Sequence, residues 1–296
     1  MSGKKIVGID LGTTFSSISK LNSIGKPEIV CNWEGERITP SAIYFDEDEA
    51  ESVRVGVEAL NSRQLNPARC VRWVKRHVGD SSYYFSAGDR KLGTVELLSF
   101  ILRKLKQDFE RENGSDIEAV ISVPAHFDEI RRKSVMDAGK MAGINVIGIV
   151  NEPVGAALYY ATGRDISGRV LVYDLGGGTF DATLLEVKGR EINILCSQGD
   201  HALGGIDFDR KILEMFESAY NEKYGGKLIE SEQERAQFED EAEDVKKTLS
   251  RRDLAKKVLY GSAGSFKFEL SRSEFERAIE PLINRSDMLI DIMLKE

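Results

Sequence analysis

A glycine-rich segment between two apolar runs constrains this chain more than any other part of it. Residues 170–173 predict a buried strand and residues 180–187 predict a second strand, and the intervening residues 174–179 read DLGGGT. Three consecutive glycines cost backbone entropy on folding, and that cost is common where the main chain approaches a ligand closely. The segment therefore predicts a β-hairpin whose turn amides could bind the oxygens of a phosphate.

Two carboxylates at the ends of this hairpin, Asp174 and Asp181, indicate that a cation binds there as well. Both side chains would repel a bare phosphate, and a divalent cation between them and the phosphate removes that conflict. A tight hairpin with two solvent-exposed acidic residues explains the same sequence without any ligand. The segment alone does not decide between the two interpretations.

A second copy near the N-terminus favours the ligand-binding interpretation. The apolar residues 6–9 lead into residues 10–15, which read DLGTTF, and Ile18 continues a second strand. Aligned on Asp-Leu-Gly, both copies contain a strand, an acid, a Gly/Thr turn, a phenylalanine and another strand. A unit repeated this far apart indicates two related halves rather than a solenoid of short repeats. Two such hairpins facing each other across a cleft could hold one nucleotide from both sides.

The composition limits the remaining classes of function. The 296 residues are 41% hydrophobic, which indicates about two globular domains. The net charge of −8 argues against nucleic acid as the main partner, and no apolar run approaches the roughly 18 residues that span a membrane. The N-terminus leaves no room for a signal peptide, and Cys31, Cys70 and Cys196 have no paired spacing. We therefore expect a cytoplasmic protein in a reducing compartment.

Strands and helices alternate in the first half of the chain, which is typical of an α/β sheet with crossover connections. Residues 95–111 carry apolar side chains at helical spacing, and residues 119–123 form an apolar strand. Residues 134–142 predict the next helix and residues 146–150 the next strand. Pro153 suits the first turn of the helix that follows.

Seven short motifs of this chain resemble motifs of the ATPase domain of DnaK-type heat-shock chaperones, the seventy-kilodalton class of the actin/hexokinase superfamily. They occur in the same order along the chain as in that family. They extend through nearly the whole chain, and seven motifs in family order are far more specific than one. The matching segments are residues 8–14, 37–41, 75–76, 123–125, 151–153, 170–187 and 203–209. The resemblance implies a two-lobed, actin-like α/β fold with duplicated phosphate-binding hairpins. It also implies a stress-response chaperone that hydrolyses ATP to drive peptide-binding cycles in a full-length protein.

The resemblance further implies how the chain is divided. Lobe I would comprise residues 1–164, with a core of residues 1–36 and 92–164 and an inserted subdomain of residues 37–91. Lobe II would be incomplete and comprise residues 165–296, with a core of residues 165–203, an inserted subdomain of residues 204–284 and the start of a return helix at residues 285–296.

The cofactors that the resemblance implies are ATP or ADP, Mg²⁺ and K⁺. Asp10 and Asp174 would hold a hydrated Mg²⁺ together with Glu152, and Asp181 would serve a second cation or a water molecule. These metal contacts would run mostly through water. The phosphates would be contacted at Gly12, Thr13, Thr14, Gly176, Gly177, Gly178, Gly204 and Gly205.

The resemblance also implies a catalytic group of Lys75, Glu152, Thr179 and Asp174. Lys75 and Thr179 would position the attacking water, and no residue is a strong general base. Catalysis would then depend on positioning and electrostatics, as is usual for phosphoryl transfer. Without the resemblance, Lys75 also fits a solvated basic helix face, and Glu152 fits an ordinary acid near a helix N-terminus. The two glycines before the helix at Phe208 likewise fit a plain loop.

Residues 232–250 predict a long polar helix with two distinct stripes. Its apolar stripe, which would be buried, consists of Phe238, Ala242, Val245 and Leu249. A neighbouring polar stripe consists of Glu243, Lys246, Lys247 and Ser250. Such a stripe is usually solvated, but here it is similar to the family's adenosine-contacting helix. The lysine stems would then cover the purine.

The chain departs from the family pattern in three respects. It stops before a Gly-Gly-x-x-Arg-x-Pro turn that closes over adenine in the family, so we expect weaker ATP binding. The peptide-binding domain is also absent, so unfolded peptide would bind only through a domain outside this chain. His126 and Asp128 replace a tyrosine and an asparagine near the surface that co-chaperones use. The partners implied by resemblance, a J-domain co-chaperone and a nucleotide-exchange factor, therefore stay expectations.

Two other functions within the same superfamily remain open from the residues alone. A small-molecule kinase would need a catalytic aspartate in a substrate pocket of the first lobe, and none can be singled out. An actin-like nucleotide-dependent scaffold would assemble in an ATP-dependent way. The contexts of Lys75-Arg76 and Leu203-Gly204-Gly205 favour the chaperone over both. No G-x-x-x-x-G-K-[ST] sequence is present, which excludes the common P-loop scheme.

Overall fold

A computed structural model describes residues 5–46, 52–114, 116–161, 166–189 and 191–295 of the chain. The predicted boundary between the lobes, at residues 164 and 165, lies outside the described residues. These residues form seven α-helices: α1 (Val57–Arg63), α2 (Thr94–Asn113), α3 (Glu129–Met141), α4 (Glu152–Ala161), α5 (Gly205–Tyr224), α6 (Glu232–Leu249) and α7 (Arg272–Met293).

The described residues also form sixteen strands. Those before residue 100 are β1 (Lys5–Leu11), β2 (Phe15–Leu21), β3 (Pro27–Val30), β4 (Thr39–Pro40), β5 (Ala42–Phe45), β6 (Val53–Val55), β7 (Cys70–Arg72), β8 (Phe85–Ala87) and β9 (Arg90–Leu92). The later strands are β10 (Ile117–Val123), β11 (Asn145–Asn151), β12 (Ser167–Leu175), β13 (Phe180–Lys188), β14 (Glu191–Asp200), β15 (Leu254–Gly261) and β16 (Gly264–Ser271).

The first sheet is six-stranded and mixed. Its order is β11-β10-β1-β2-β3, with β4 paired to β2, and the pairs β1–β10 and β10–β11 are parallel. Helix α2 buries its predicted apolar face against this sheet, because Leu97, Leu102 and Phe109 are all fully buried. Between β3 and α2 the chain forms the small sheets β6-β5-β7 and β8-β9 together with α1. The predicted α/β alternation is therefore present.

Helix α3 begins five residues before the predicted start at residue 134. The reason is a helix cap that the apolar periodicity does not report. The side chain of Asp128 accepts a hydrogen bond from the backbone N–H of Arg131 at 2.9 Å, which satisfies an otherwise unpaired amide of the first turn.

The second sheet contains the glycine-rich hairpin and has the order β12-β13-β14, with both pairs antiparallel. The second predicted strand is present as β13 and is mostly buried, but the expectation of a buried strand at residues 170–173 is wrong. Leu171 and Tyr173 are 45% and 46% exposed. Among the described residues β12 pairs only with β13, so its other edge and part of one face are open to solvent.

A second hydrophobic core joins β13 to α5, α6, α7 and the hairpin β15–β16. The predicted apolar stripe of α6 is buried in it, with Phe238 and Val245 completely inaccessible. Helix α7 is continuous across residues 284 and 285, where a subdomain boundary was predicted. No helix in the described part of the chain is long and apolar enough to cross a membrane.

Candidate functional site

The turns of the two Asp-Leu-Gly hairpins lie in direct contact. A Cβ atom on Gly177 would lie 1.9 Å from the Oγ1 atom of Thr14, and one on Gly178 would lie 2.3 Å from the Cγ2 atom of Thr13. Only glycine fits at such distances, so the triple glycine lets the second turn pack against the first. The Oγ1 atom of Thr14 is buried there and has no hydrogen-bond partner among the described residues.

Two serines hydrogen-bond to the first turn and stabilise it. The sequence analysis did not identify either serine as part of the site. The hydroxyl of Ser41 donates to the carbonyl of Gly12 at 2.8 Å, and the amide of Gly12 donates to the hydroxyl of Ser16 at 3.2 Å. The two hydroxyls lie 2.9 Å apart and are almost fully buried. Ser16 had one available signal, since it occupies an inward-facing position in the strand FSSISKL.

A third glycine turn, formed by Gly204 and Gly205, packs against the turn of the second hairpin. The amides of Gly205 and Ile206 donate to the carbonyls of Gly176 and Gly177 at 3.0 and 2.8 Å. A Cβ atom on Gly204 would lie 2.7 Å from the backbone of Gly177. The structure thus brings Gly204 and Gly205 to the predicted phosphate turn. The Gly205 amide is engaged there by a carbonyl, and a phosphate contact from it stays a prediction.

Lys75 and Glu152 form a buried ion pair at this site. The Nζ atom of Lys75 lies 2.6 Å from Oε1 of Glu152, and the lysine residue is 7% exposed. Burial acts to lower the pKa of Lys75, but the charges of Glu152, Asp10 and Asp181 outweigh it and raise that pKa. Burial raises the pKa of Glu152, and the ammonium group offsets only part of this effect. The lysine is therefore charged at neutral pH.

The backbone just before Lys75 has an unusual conformation that places two basic side chains in the site. Trp73 has a φ of 61°, in the left-handed region, and the 3₁₀ turn Val74–His77 follows it. From this turn the Nε of Arg76 donates to the carbonyl of Gly178 at 2.8 Å, and its Nη2 lies 2.5 Å from Oδ2 of Asp207. Arg76 thus joins the turn to the glycine hairpin and to α5.

Two aspartates on the paired hairpins, Asp10 and Asp181, act electrostatically on a third, Asp174. The pKa of Asp174 is raised, first by partial burial and then by the negative charges of Asp181 and Asp10. Ser122 donates to Oδ1 of Asp10 at 2.9 Å, and Nδ1 of His126 lies 2.7 Å from Oδ1 of Asp181. The negative charges of Asp181 and Asp10 beside Asp174 favour a cation close to these carboxylates.

Within the described residues, no group of three or more His, Cys, Asp and Glu side chains is arranged to hold a metal ion directly. The sequence predicted contacts mostly through water, and the raised pKa of Asp174 agrees with excess negative charge at this place. The negative charges of Asp10 and Asp181 beside Asp174 are the feature of this place that fits a cation. Thr179, another predicted site residue, closes the turn: its backbone carbonyl accepts a hydrogen bond from the amide of Gly176 at 2.9 Å.

The polar stripe of α6 divides between two environments. Lys246 bonds to the carbonyl of Gly205 at 3.0 Å and to Asp209 at 2.7 Å, so it lies at the third glycine turn. Lys247 is exposed and pairs with Glu243 at 2.9 Å. Burial works against the charge of Glu243, but Lys247 and Lys246 outweigh it and lower that pKa. Ser250 ends the helix by donating to the carbonyl of Lys246.

Comparison with known proteins gives a single family. A family model described as Hsp70 protein matches residues 6–296. Two proteins named chaperone protein DnaK, from the R1 and NRC-1 strains of Halobacterium salinarum, are each 36% identical to this chain over 293 residues. The alignment covers 97% of this chain and 46% of each relative. The chain thus spans about half the length of the curated relatives it matches.

Proposed function

This chain belongs to the Hsp70 protein family, and we propose that it is the nucleotide-binding, ATP-hydrolysing part of a chaperone of that family. The predicted resemblance and the α/β fold class are thereby confirmed. The two alternatives, a small-molecule kinase and an actin-like scaffold, are not favoured by this family membership. In a longer protein, the hydrolysis of ATP would drive cycles of peptide binding in a separate domain.

The observation that carries this proposal is the contact between the two hairpin turns, with a buried lysine beside them. Glycines at residues 177 and 178 let the turns meet within contact distance of Thr13 and Thr14. Turns of this kind present backbone amides to phosphate oxygens. The proposed nucleotide therefore lies with its phosphates at both turns and its adenosine toward α6.

In the proposed mechanism, the residues hold and orient the reactants for in-line attack by water. The charged ammonium group of Lys75 offsets negative charge that develops on the transferring phosphoryl group. Thr179 orients the attacking water. Asp10, Asp174 and Glu152 would hold a hydrated Mg²⁺, which when bound would neutralise phosphate charge. Asp181 would lie beside this cation and serve either a water molecule around it or a second cation, with K⁺ as the candidate.

The arrangement of the chain in a longer protein is also part of the proposal. Lobe I would correspond to residues 1–164 and lobe II to residues 165–296, with the nucleotide between them. A J-domain co-chaperone and a nucleotide-exchange factor would act on these lobes in the cytoplasm. The names of the two relatives, both chaperone proteins, support a role in a chaperone, and the lobe bounds, the partners and the compartment follow from the resemblance described above.

Calorimetry with ADP and Mg²⁺, together with an ATP turnover assay, tests the proposal. We expect Asp10→Asn and Asp174→Asn to abolish magnesium-dependent turnover and to weaken binding, because each removes a charge that faces the cation. Asp137→Asn, on the exposed side of α3, is the matched control and should behave as wild type. A wild-type chain that binds no nucleotide, or aspartate variants with unchanged turnover, would refute the proposed function.

A further inference from the structure

His126 hydrogen-bonds the most deeply buried of the three aspartates. Its Nδ1 atom lies 2.7 Å from Oδ1 of Asp181, a residue that is 2% exposed. Because an ionised carboxylate only accepts hydrogen bonds, Nδ1 carries the proton of this contact. The second ring nitrogen, Nε2, is buried and has no partner among the described residues.

Three separate segments build this contact. Asp181 comes from β13, His126 comes from the loop after β10, and Gly199 lies opposite Asp181 in the neighbouring strand β14. A Cβ atom on Gly199 would lie 2.9 Å from both Oδ1 of Asp181 and Nδ1 of His126. The glycine therefore leaves the space that the imidazole occupies. The ring is also held by an edge-on contact with Phe127, at 5.6 Å between centroids.

The contact restrains a carboxylate that hydrogen-bonds to no other side chain among the described residues. In the described part of the chain, His126 is the one side chain that hydrogen-bonds to Asp181. Asp10 is held in a comparable way by Ser122. Oδ1 is engaged by the imidazole, Oδ2 has no hydrogen-bond partner among the described residues, and the charge of this carboxylate raises the pKa of both Lys75 and Asp174.

We propose that His126 is a positioning residue for the cleft: its Nδ1–H fixes the Asp181 carboxylate so that the free oxygen accepts from the hydration shell of a bound cation. This inference rests on the proposed function. It differs from the sequence expectation, which placed His126 near a co-chaperone surface. Groups that orient a metal-binding side chain without touching the metal commonly control the affinity of such a site.

Two substitutions separate the hydrogen bond from the bulk of the ring. Asn places an amide N–H close to the position of Nδ1, whereas Leu fills similar space and cannot donate. Gln places its amide near the position of Nε2, which is the wrong place for Asp181. The set His126→Asn, His126→Leu and His126→Gln therefore compares a donor at the right place, no donor and a misplaced donor.

The first measurement is the affinity of the full chain for Mn²⁺ in the presence of ADP, by electron paramagnetic resonance. We expect His126→Leu and His126→Gln to bind Mn²⁺ about 10- to 100-fold more weakly than wild type, and His126→Asn to stay close to wild type. Equal affinities in all four proteins would overturn the inference. Equal weakening in all three variants, together with equal losses of thermal stability, would assign the ring a purely structural role and overturn it as well.

The second measurement needs no ligand. Nitrogen-15 NMR of the histidine rings should show His126 protonated at Nδ1, with a downfield proton that disappears in Asp181→Ala. An Nδ1 without this proton would overturn the inference even if Mn²⁺ binds. Absence of Mn²⁺ and ADP binding in the wild-type chain would instead refute the proposed function, and the positioning role with it, whatever the NMR spectrum shows.

Discussion

Lys75 and Glu152 form a buried ion pair, and burying either charge without the other would destabilise the folded chain. Their side chains are 5% and 13% exposed, at a separation of 2.6 Å. Removing one partner of a buried pair leaves an uncompensated charge, which typically costs about 3–5 kcal/mol. We therefore expect Lys75→Met to destabilise the chain by about that amount in urea unfolding. The double variant Lys75→Met/Glu152→Gln should recover most of the loss, and a double variant no more stable than the single one would contradict this account.

The three cysteines should react with iodoacetamide at different rates. Burial raises the pKa of the Cys70 thiol to about 11, although Arg63 and Arg72 act in the opposite direction. At pH 8 such a thiol is about one part in a thousand thiolate, and the thiolate is the reactive form. Cys31 is exposed and should be alkylated first, with Cys70 last. Timed labelling with peptide mass spectrometry measures the order, and urea-unfolded chain, in which all three react alike, is the control.

For single residues, the sequence predicts those that lie in a repeated motif or in a motif of the family. It misses residues whose role depends only on packing in the folded chain. Asp10, Asp174 and Lys75 were predicted from motifs, and the structure brings them to one place. Ser16 was missed because a serine inside a strand has no distinctive pattern. The contact between His126 and Asp181 was missed because it joins residues 55 positions apart, and no local spacing encodes such a pairing.

Two helical glycines provide a matched test of packing at the scale of elements. In α3, a Cβ atom on Gly139 would lie 2.4 Å from Cγ2 of Val146 in β11, so this glycine sets how closely helix and strand approach. In α4, a Cβ atom on Gly155 would meet nothing within 4 Å. We expect Gly139→Ala to cost about 1–3 kcal/mol through overpacking, and Gly155→Ala to stabilise by about 0.5–1 kcal/mol.

Chemical unfolding of both variants measures these opposite shifts. Because the two substitutions are chemically identical, helix propensity cancels in the comparison and the difference reports the close approach of α3 to β11. A stabilising effect at both positions would show that Val146 moves aside at little cost, and would contradict the packing argument.

Elements with strong periodicity were predicted well, and their edges were not. The apolar spacing of α2 and α6 identified the faces that the structure buries. The start of α3 was missed because a side-chain cap at Asp128 sets it. The burial of β12 was overestimated because an apolar run does not reveal whether a strand lies at the edge or the centre of a sheet.

At the scale of the whole molecule, Arg63 connects helix α1 to helix α6, and Arg72 of β7 lies 3.6 Å from Asp240 of the same helix. Arg63, the last residue of α1, is 5% exposed. Its guanidinium lies 2.8 Å from Asp240 and 2.5 Å from Glu239, and it donates to the carbonyl of Ala236 at 3.3 Å. All three partners belong to α6. The spacing of charges along either helix gives no indication of this contact, which depends on how the cores are placed.

This ion-pair group should hold the cleft closed, and Arg63→Ala should therefore open it. The matched control is Arg54→Ala, since Arg54 pairs with Asp46 within the same small sheet region and does not reach α6. Loss of a buried, hydrogen-bonded charge pair typically costs about 2–5 kcal/mol. If about 1.4 kcal/mol of this cost destabilises the closed state relative to the open state, bound ADP is released tenfold faster.

Two readouts separate opening of the cleft from the proposed function. Hydrogen exchange should increase in α6 near Ala236 in Arg63→Ala but not in Arg54→Ala, and this requires no nucleotide. Stopped-flow release of a fluorescent ADP should be faster in the first variant alone. A double-mutant cycle between Arg63→Ala and Asp240→Ala should give a coupling free energy of at least about 1 kcal/mol. If the free-energy changes of Arg63→Ala and Asp240→Ala are additive, the contact between α1 and α6 contributes nothing to closure of the cleft, and this account is wrong.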